Sequence, residues 1–153
     1  NPETAFVANF LGQSNLIKGR IEGTDGDNLV VDLFGQKIAM TKKRSHAVDN
    51  SIYAGIRPEK FRISLVGTPT RGNTLTGGHI EEVSYIGVST QYQVMMPWGQ
   101  EVMVFEQNDD GVAPFDKGDE VNISWEPTFT FGLRGDEDIE AGTEVNPEEL
   151  EEE

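Results

Sequence analysis

The sequence predicts an all-β protein of small antiparallel barrels, preceded by one short helix. Two observations lead there. Apolar, β-branched stretches of roughly four to eight residues recur along the chain, and 17 glycines with 7 prolines in 153 residues place turns between them. Many short strands without long crossover helices between them argue for antiparallel sheets closed into small barrels. A composition of 36% hydrophobic and 25% charged residues is that of a globular chain. At this length folding removes roughly 70% of the accessible surface, so a real core is possible.

The helix is expected over residues 2–12, where Pro2 suits a first turn, Phe6, Val7, Phe10 and Leu11 repeat at helical spacing, and Gly12 stops the run. From Leu16 the period changes. Residues 16–21 and 29–33 form a strand pair across the turn-forming Gly23 to Asn28, and residues 36–40 give a further strand. A basic loop with Lys42, Lys43, Arg44 and His46 follows, then a strand over 52–57 stopped by Pro58, then one over 61–65. Residues 66–78, rich in Gly, Thr and Pro, are the best internal boundary and could divide two lobes. Longer strands are expected at 79–86, 89–96, 101–107 and 120–125, with turns at 97–100 and 108–111. Nine or ten strands exceed the five of one such barrel, hence two lobes. No internal repeat is obvious.

The net charge is −15, but the ten acidic residues between Asp136 and Glu153 carry most of it; without them the body has −5. Residues 136–153 therefore read as a solvated, mobile acidic tail. An acidic body repels phosphate backbones, which disfavours a nucleic-acid partner. With no cysteine, disulfides, thiolate metal sites and cysteine nucleophiles are excluded. No apolar run approaches the ~20 residues that span a bilayer, and Asn1-Pro2-Glu3-Thr4 lacks the layout of a signal peptide.

Candidate site residues each have a plainer reading. Arg57 and Glu59 flank Pro58, which ends a strand, and are read as structural. His46 and His79 have no ligand-like neighbours, and no nucleophile, base and oxyanion donor form a set. Asp25-Gly26-Asp27 starts like a calcium loop without its later Gly and Glu, so a turn is favoured; Asp32, Asp109 and Asp110 add no spacing of their own. Trp125 reads as core and Trp98 as a hairpin-tip aromatic, while Met95, Met96 and Met103 read as packing residues. No catalytic, cofactor or metal residue is expected in the chain.

Several phrases together resemble the C-terminal half of the ATPase subunits of ABC importers, the transport-associated OB (TOBE) region. They are residues 2–12, Gly55-Ile56-Arg57-Pro58-Glu59-Lys60, Tyr85-Ile86-Gly87 with Thr90-Gln91-Tyr92-Gln93-Val94, Gln107-Asn108, and Gly118-Asp119 leading to Ser124-Trp125. The resemblance runs from Asn1 to about Leu133 and looks closest to the ATPases of polyamine importers, with iron, sulfate and sugar importers sharing much of it.

The resemblance implies residues 1–15 as helix and link from the ATPase half, 16–135 as a regulatory domain of two intertwined OB-like lobes, and 136–153 as the tail. The Gly-x-x-x-x-Gly-Lys-[Ser/Thr] phosphate loop of the family's ATPase half does not occur here. The chain is therefore expected to be a piece of a longer parent and not an enzyme by itself; ATP and Mg²⁺ belong to the ATPase half, and no cofactor is expected in this chain. The implied partners are a second copy of the subunit and, through the ATPase, a membrane permease; the implied location is the cytoplasmic face of the membrane. The alternative is a small-ligand sensor for a polyamine or an oxyanion, an oxyanion calling on Arg20, Lys37, Lys42, Lys43 and Arg44.

Overall fold

In the computed structural model residues 13–42, 50–107 and 114–134 are described. Ten strands follow in chain order: β1 Asn15–Asp25, β2 Asn28–Leu33, β3 Gln36–Thr41, β4 Ser51–Ile56, β5 Arg62–Leu65, β6 Asn73–Ile86, β7 Ser89–Met95, β8 Glu101–Gln107, β9 Glu120–Trp125 and β10 Phe131–Arg134. Single 3-10 turns at Pro58–Lys60 and Pro127–Phe129 precede β5 and β10. All strand pairings among the described residues are antiparallel. The fold is all-β and OB-like, in two units.

The first unit holds Asn1–Arg57 and Pro127–Glu153. Its sheet has the order β10-β4-β1-β2-β3, and it curls until the edge strands β10 and β3 approach each other. Alternation drives the curl: Ile17, Val31, Leu33, Ile38, Met40 and Ile52 point inward and are buried, with polar neighbours between them facing out. Gly55 on β4 stands opposite Phe131 on β10, and a Cβ there would overlap the Phe131 ring. Only glycine lets β10 lie so close.

The second unit is Pro58–Glu126. Its sheet has the order β5-β9-β6-β7-β8, with edges β5 and β8 again approaching. The core contains Trp125, fully buried and edge-on to Phe61 at 5.3 Å, and the buried Leu75, Ile80, Val94 and Ile123. Tyr92 and Phe115 make a second edge-to-face pair at 5.8 Å.

Both sheets use one plan. Three strands in a meander, then a fourth beside the first, then a fifth beside the fourth describes β1, β2, β3, β4 and β10, and equally β6, β7, β8, β9 and β5. The connections repeat too: β4 ends at Ile56, Pro58 opens the 3-10 turn and β5 starts at Arg62; β9 ends at Trp125, Pro127 opens the turn and β10 starts at Phe131. A duplicated plan therefore underlies a sequence in which no repeat is obvious. In each case the strand after the fourth goes to the other unit's sheet, so the chain passes between units twice.

Two expectations need correction. Residues 66–78 do not divide the lobes: they join β5 to β6, both hydrogen-bonded to β9, and the passages fall at Arg57–Pro58 and Glu126–Pro127. The glycines misled because β6 already begins at Asn73, with Gly77 and Gly78 sitting in a bulge where the register to β9 shifts. The strand β10 was also missed, being four residues long with a glycine inside. The helix at 2–12, the loop residues Lys43, Arg44 and His46, the turn at 108–111 and the tail at 136–153 lie outside the described residues.

Candidate functional site

A cleft of about 480 Å³ opens on the second unit beside β5 and β9, its polar wall made by Arg62, Ser64, Thr70, Arg71 and Ser124. Strand alternation sets it up. Ile63 opposes Ile123, while Arg62 opposes Ser124 and Ser64 opposes Asn122 on the other face. The loop from β5 then returns through Pro69, Thr70 and Arg71 to Gly72. There φ is +76°, and a Cβ would stand 2.5 Å from the Trp125 carbonyl oxygen. That close approach carries Arg71 to Glu126, the residue after Trp125.

Both guanidinium groups meet one carboxylate oxygen: Arg62 Nη1 lies 3.3 Å and Arg71 Nε 3.7 Å from Glu126 Oε1. Arg62 Nη2 also donates to the Arg71 carbonyl at 2.7 Å, tying the loop to the strand. The terminal nitrogens of Arg71 have no partner among the described residues, and its side chain is 84% exposed. Thr70 and Thr74 share a hydroxyl hydrogen bond of 2.6 Å. Ser64 Oγ and Asn122 Oδ1 are buried without a protein partner. Two cations, one anion and an unused buried hydroxyl leave the cleft with one net positive charge and free donor capacity.

Of the basic residues singled out from sequence, the described ones, Arg20, Lys37 and Lys42, are not gathered this way. Lys37 pairs with Glu22 and, at 3.1 Å, with Asp32; these hydrogen bonds hold its ammonium above the usual lysine range. Arg20 and Lys42 are exposed. Sequence reading missed Arg62 and Arg71 because nine positions separate them, and only the Gly72 turn brings them together. A signal was present: an Arg-Gly pair closing a Gly- and Thr-rich segment marks a turn that presents a cation.

The other marked residues take plain roles. Trp98 is half-buried and donates through Nε1 to Gln100 Oε1 at 2.8 Å, and Trp125 is core. Asp25-Gly26-Asp27 makes the β1–β2 turn, with Gly26 at φ +62°. Met96 is buried and Met95 and Met103 are half-buried. His79 faces Glu120 at 3.7 Å on the surface, and Pro58 opens its turn while buried.

At the β7–β8 end of the same barrel, burial pushes the Glu106 carboxyl above its ordinary range, opposed by a hydrogen bond from the Ile63 backbone. Burial, then the Glu106 charge, pushes the Tyr92 phenol up to about 12. At the β6–β7 hairpin Tyr85, Ile86 and Val88 are exposed by 60% or more.

The TOBE domain family matches residues 54–131, from within β4 to the first residue of β10. The chain belongs to the TOBE domain family. Its TOBE fold spans both units, so the match begins and ends on paired strands of the first unit and takes in all of the second. Similar sequences include the spermidine/putrescine import ATP-binding protein PotA of Rubrobacter xylanophilus, 32% identical over 138 residues, covering 88% of this chain and 35% of that protein. PotA of Thermobifida fusca is 30% identical with the same coverages, and PotA of Acidothermus cellulolyticus is 34% identical over 86% of this chain and 35% of that one. The chain thus spans about a third of the length of these relatives. Among solved structures, the cytoplasmic molybdate-binding protein ModG with molybdate bound superposes with a TM-score of 0.62 at 16% identity, over 77% of this chain and 94% of that one. That likeness is one of fold.

Proposed function

We propose that this TOBE chain is the regulatory and dimer-stabilising domain of the ATP-binding subunit of an ABC importer, and that the cargo is a polyamine. The observation that carries the reading is the match of 88% of the chain to spermidine/putrescine import ATP-binding proteins. No helix among the described residues is long and apolar enough to cross a membrane. In this reading the domain sits at the cytoplasmic face, held there through the ATPase half and its permease. Two copies associate through their TOBE domains. That contact keeps the two ATPase halves at high effective concentration while they open and close around ATP, and limits how far they part.

Sedimentation of the chain across a concentration series should show a monomer–dimer equilibrium; a strict monomer at high concentration removes the dimer-stabilising role. The parent gene should restore spermidine or putrescine uptake to a transport-deficient strain, and failure there removes the cargo. The chain itself should not bind Mg-ATP, and saturable binding at micromolar concentration would overturn the division of labour. A second reading, a small-ligand sensor, is favoured by the arginine-lined cleft.

A further inference from the structure

We infer that the cleft bounded by Arg62, Ser64, Thr70 and Arg71 is a binding site for a small phosphomonoester. The inference rests on the geometry of this one unit and is independent of the importer reading.

The cleft lies within the ~300–1,000 Å³ typical of small-molecule sites. A bare tetrahedral ion, a few water volumes in size, would take up a small part of it, so the cleft has room for an organic part. Pro69 supplies apolar wall for that part.

The donors select the head group. Glu126 lies against Arg62 Nη1 at 3.3 Å and Arg71 Nε at 3.7 Å, which leaves the terminal fork of Arg71 open. A planar fork of N–H donors matches two oxygens of a phosphate. The Ser64 hydroxyl, in a residue of the cleft wall, is buried without a protein partner, and a turn of its side chain toward the cleft would let it donate to a phosphate oxygen. Thr70, whose hydroxyl is shared with Thr74, adds a second hydroxyl to the cleft wall. The net local charge is one positive unit, in a protein of −15 overall. A dianion draws twice the attraction of a monoanion from that local field, which favours a phosphomonoester over a single carboxylate.

Calorimetric titration of the full chain with glycerol phosphate, ribose phosphate, inorganic phosphate and sulfate tests the proposal. At least one phosphomonoester should bind saturably, and more tightly than inorganic phosphate or sulfate. Arg71→Gln should weaken that binding at least about tenfold with the unfolding midpoint unchanged, since the side chain is exposed. Ser64→Ala should weaken it less. Glu126→Gln should tighten it, because the competing carboxylate is gone. Absence of saturable binding at millimolar ligand overturns the site, as does binding indifferent to both Arg71→Gln and Glu126→Gln. Equal affinity for inorganic phosphate overturns the organic part of the assignment.

Discussion

Gly72 lies against the main chain of Trp125, so close that a Cβ would stand 2.5 Å from the Trp125 carbonyl oxygen. The contact joins the start of β6 to the end of β9 and places Arg71 at Glu126. Gly72→Ala meets two penalties together, the left-handed φ of +76° and the collision with backbone that cannot yield. The variant should lose about 2 kcal/mol of stability, read as a lower urea midpoint with an unchanged denaturant slope.

Gly55→Ala should be similarly costly in the first unit, because the new methyl group overlaps the Phe131 ring. Overpacking of this kind costs about 1–3 kcal/mol. Combining it with Phe131→Ala should cost less than the two single losses added, since the collision is relieved. Strict additivity in thermal unfolding would place the cost elsewhere than in this pair.

The tight turn between β2 and β3 is Phe34-Gly35, with φ of +53° and +93°. Two-residue hairpins of this hand suit Asn-Gly, and a bulky residue at the first position is strained. Asp32 Oδ2 accepts from the Gly35 amide at 3.3 Å and helps to hold the turn. Phe34 is half exposed, so Phe34→Asn trades about 1 kcal/mol of relieved backbone strain against the buried half of the ring; it should therefore melt above Phe34→Ala, which loses the ring and keeps the strain.

Glu106 gives a pH dependence whose direction can be worked out. Burial raises its carboxyl above the ordinary 4.5, so the folded state keeps the proton to higher pH than the unfolded chain does. The stabilising contribution is full below about 4.5 and is lost as pH rises through the raised folded value. Around it stand Thr90 directly across on β7, the Tyr92 phenol, neutral at ordinary pH, and the Ile63 amide. Glu106→Gln cannot ionise, so its stability relative to the natural chain should climb from acid to neutral pH. A flat difference across that range would show that the carboxylate is not desolvated.

The legible parts of the fold were those where alternation is strong. Thr90, Tyr92 and Val94 alternate with half-buried neighbours along β7, and the Asp25-Gly26-Asp27 turn carries its own chemistry. Segment 66–78 failed because glycine has two meanings, a linker or a bulge, and the difference depends on a partner strand far along the chain. Pairing was hidden for the same reason: β5 follows β4 across a single 3-10 turn, yet it pairs with β9. The cleft needed both facts. Arg62 becomes part of a site only when β5 lies on β9, and Arg71 only when Gly72 turns against Trp125.

The exchange of final strands bears on how the protein is made. When β4 emerges from the ribosome, its outer edge has no mate; the residues that come next belong to the other sheet, and Phe131–Arg134 arrives only after all of residues 58–126. The first unit must wait through synthesis of the whole second one with an open strand edge, the feature most prone to wrong pairing between chains. A ribosome pause or a chain break within residues 58–126 would strand it there. Completion of the last strand, more than the folding of either sheet alone, is then the event that commits a newborn chain to its native form.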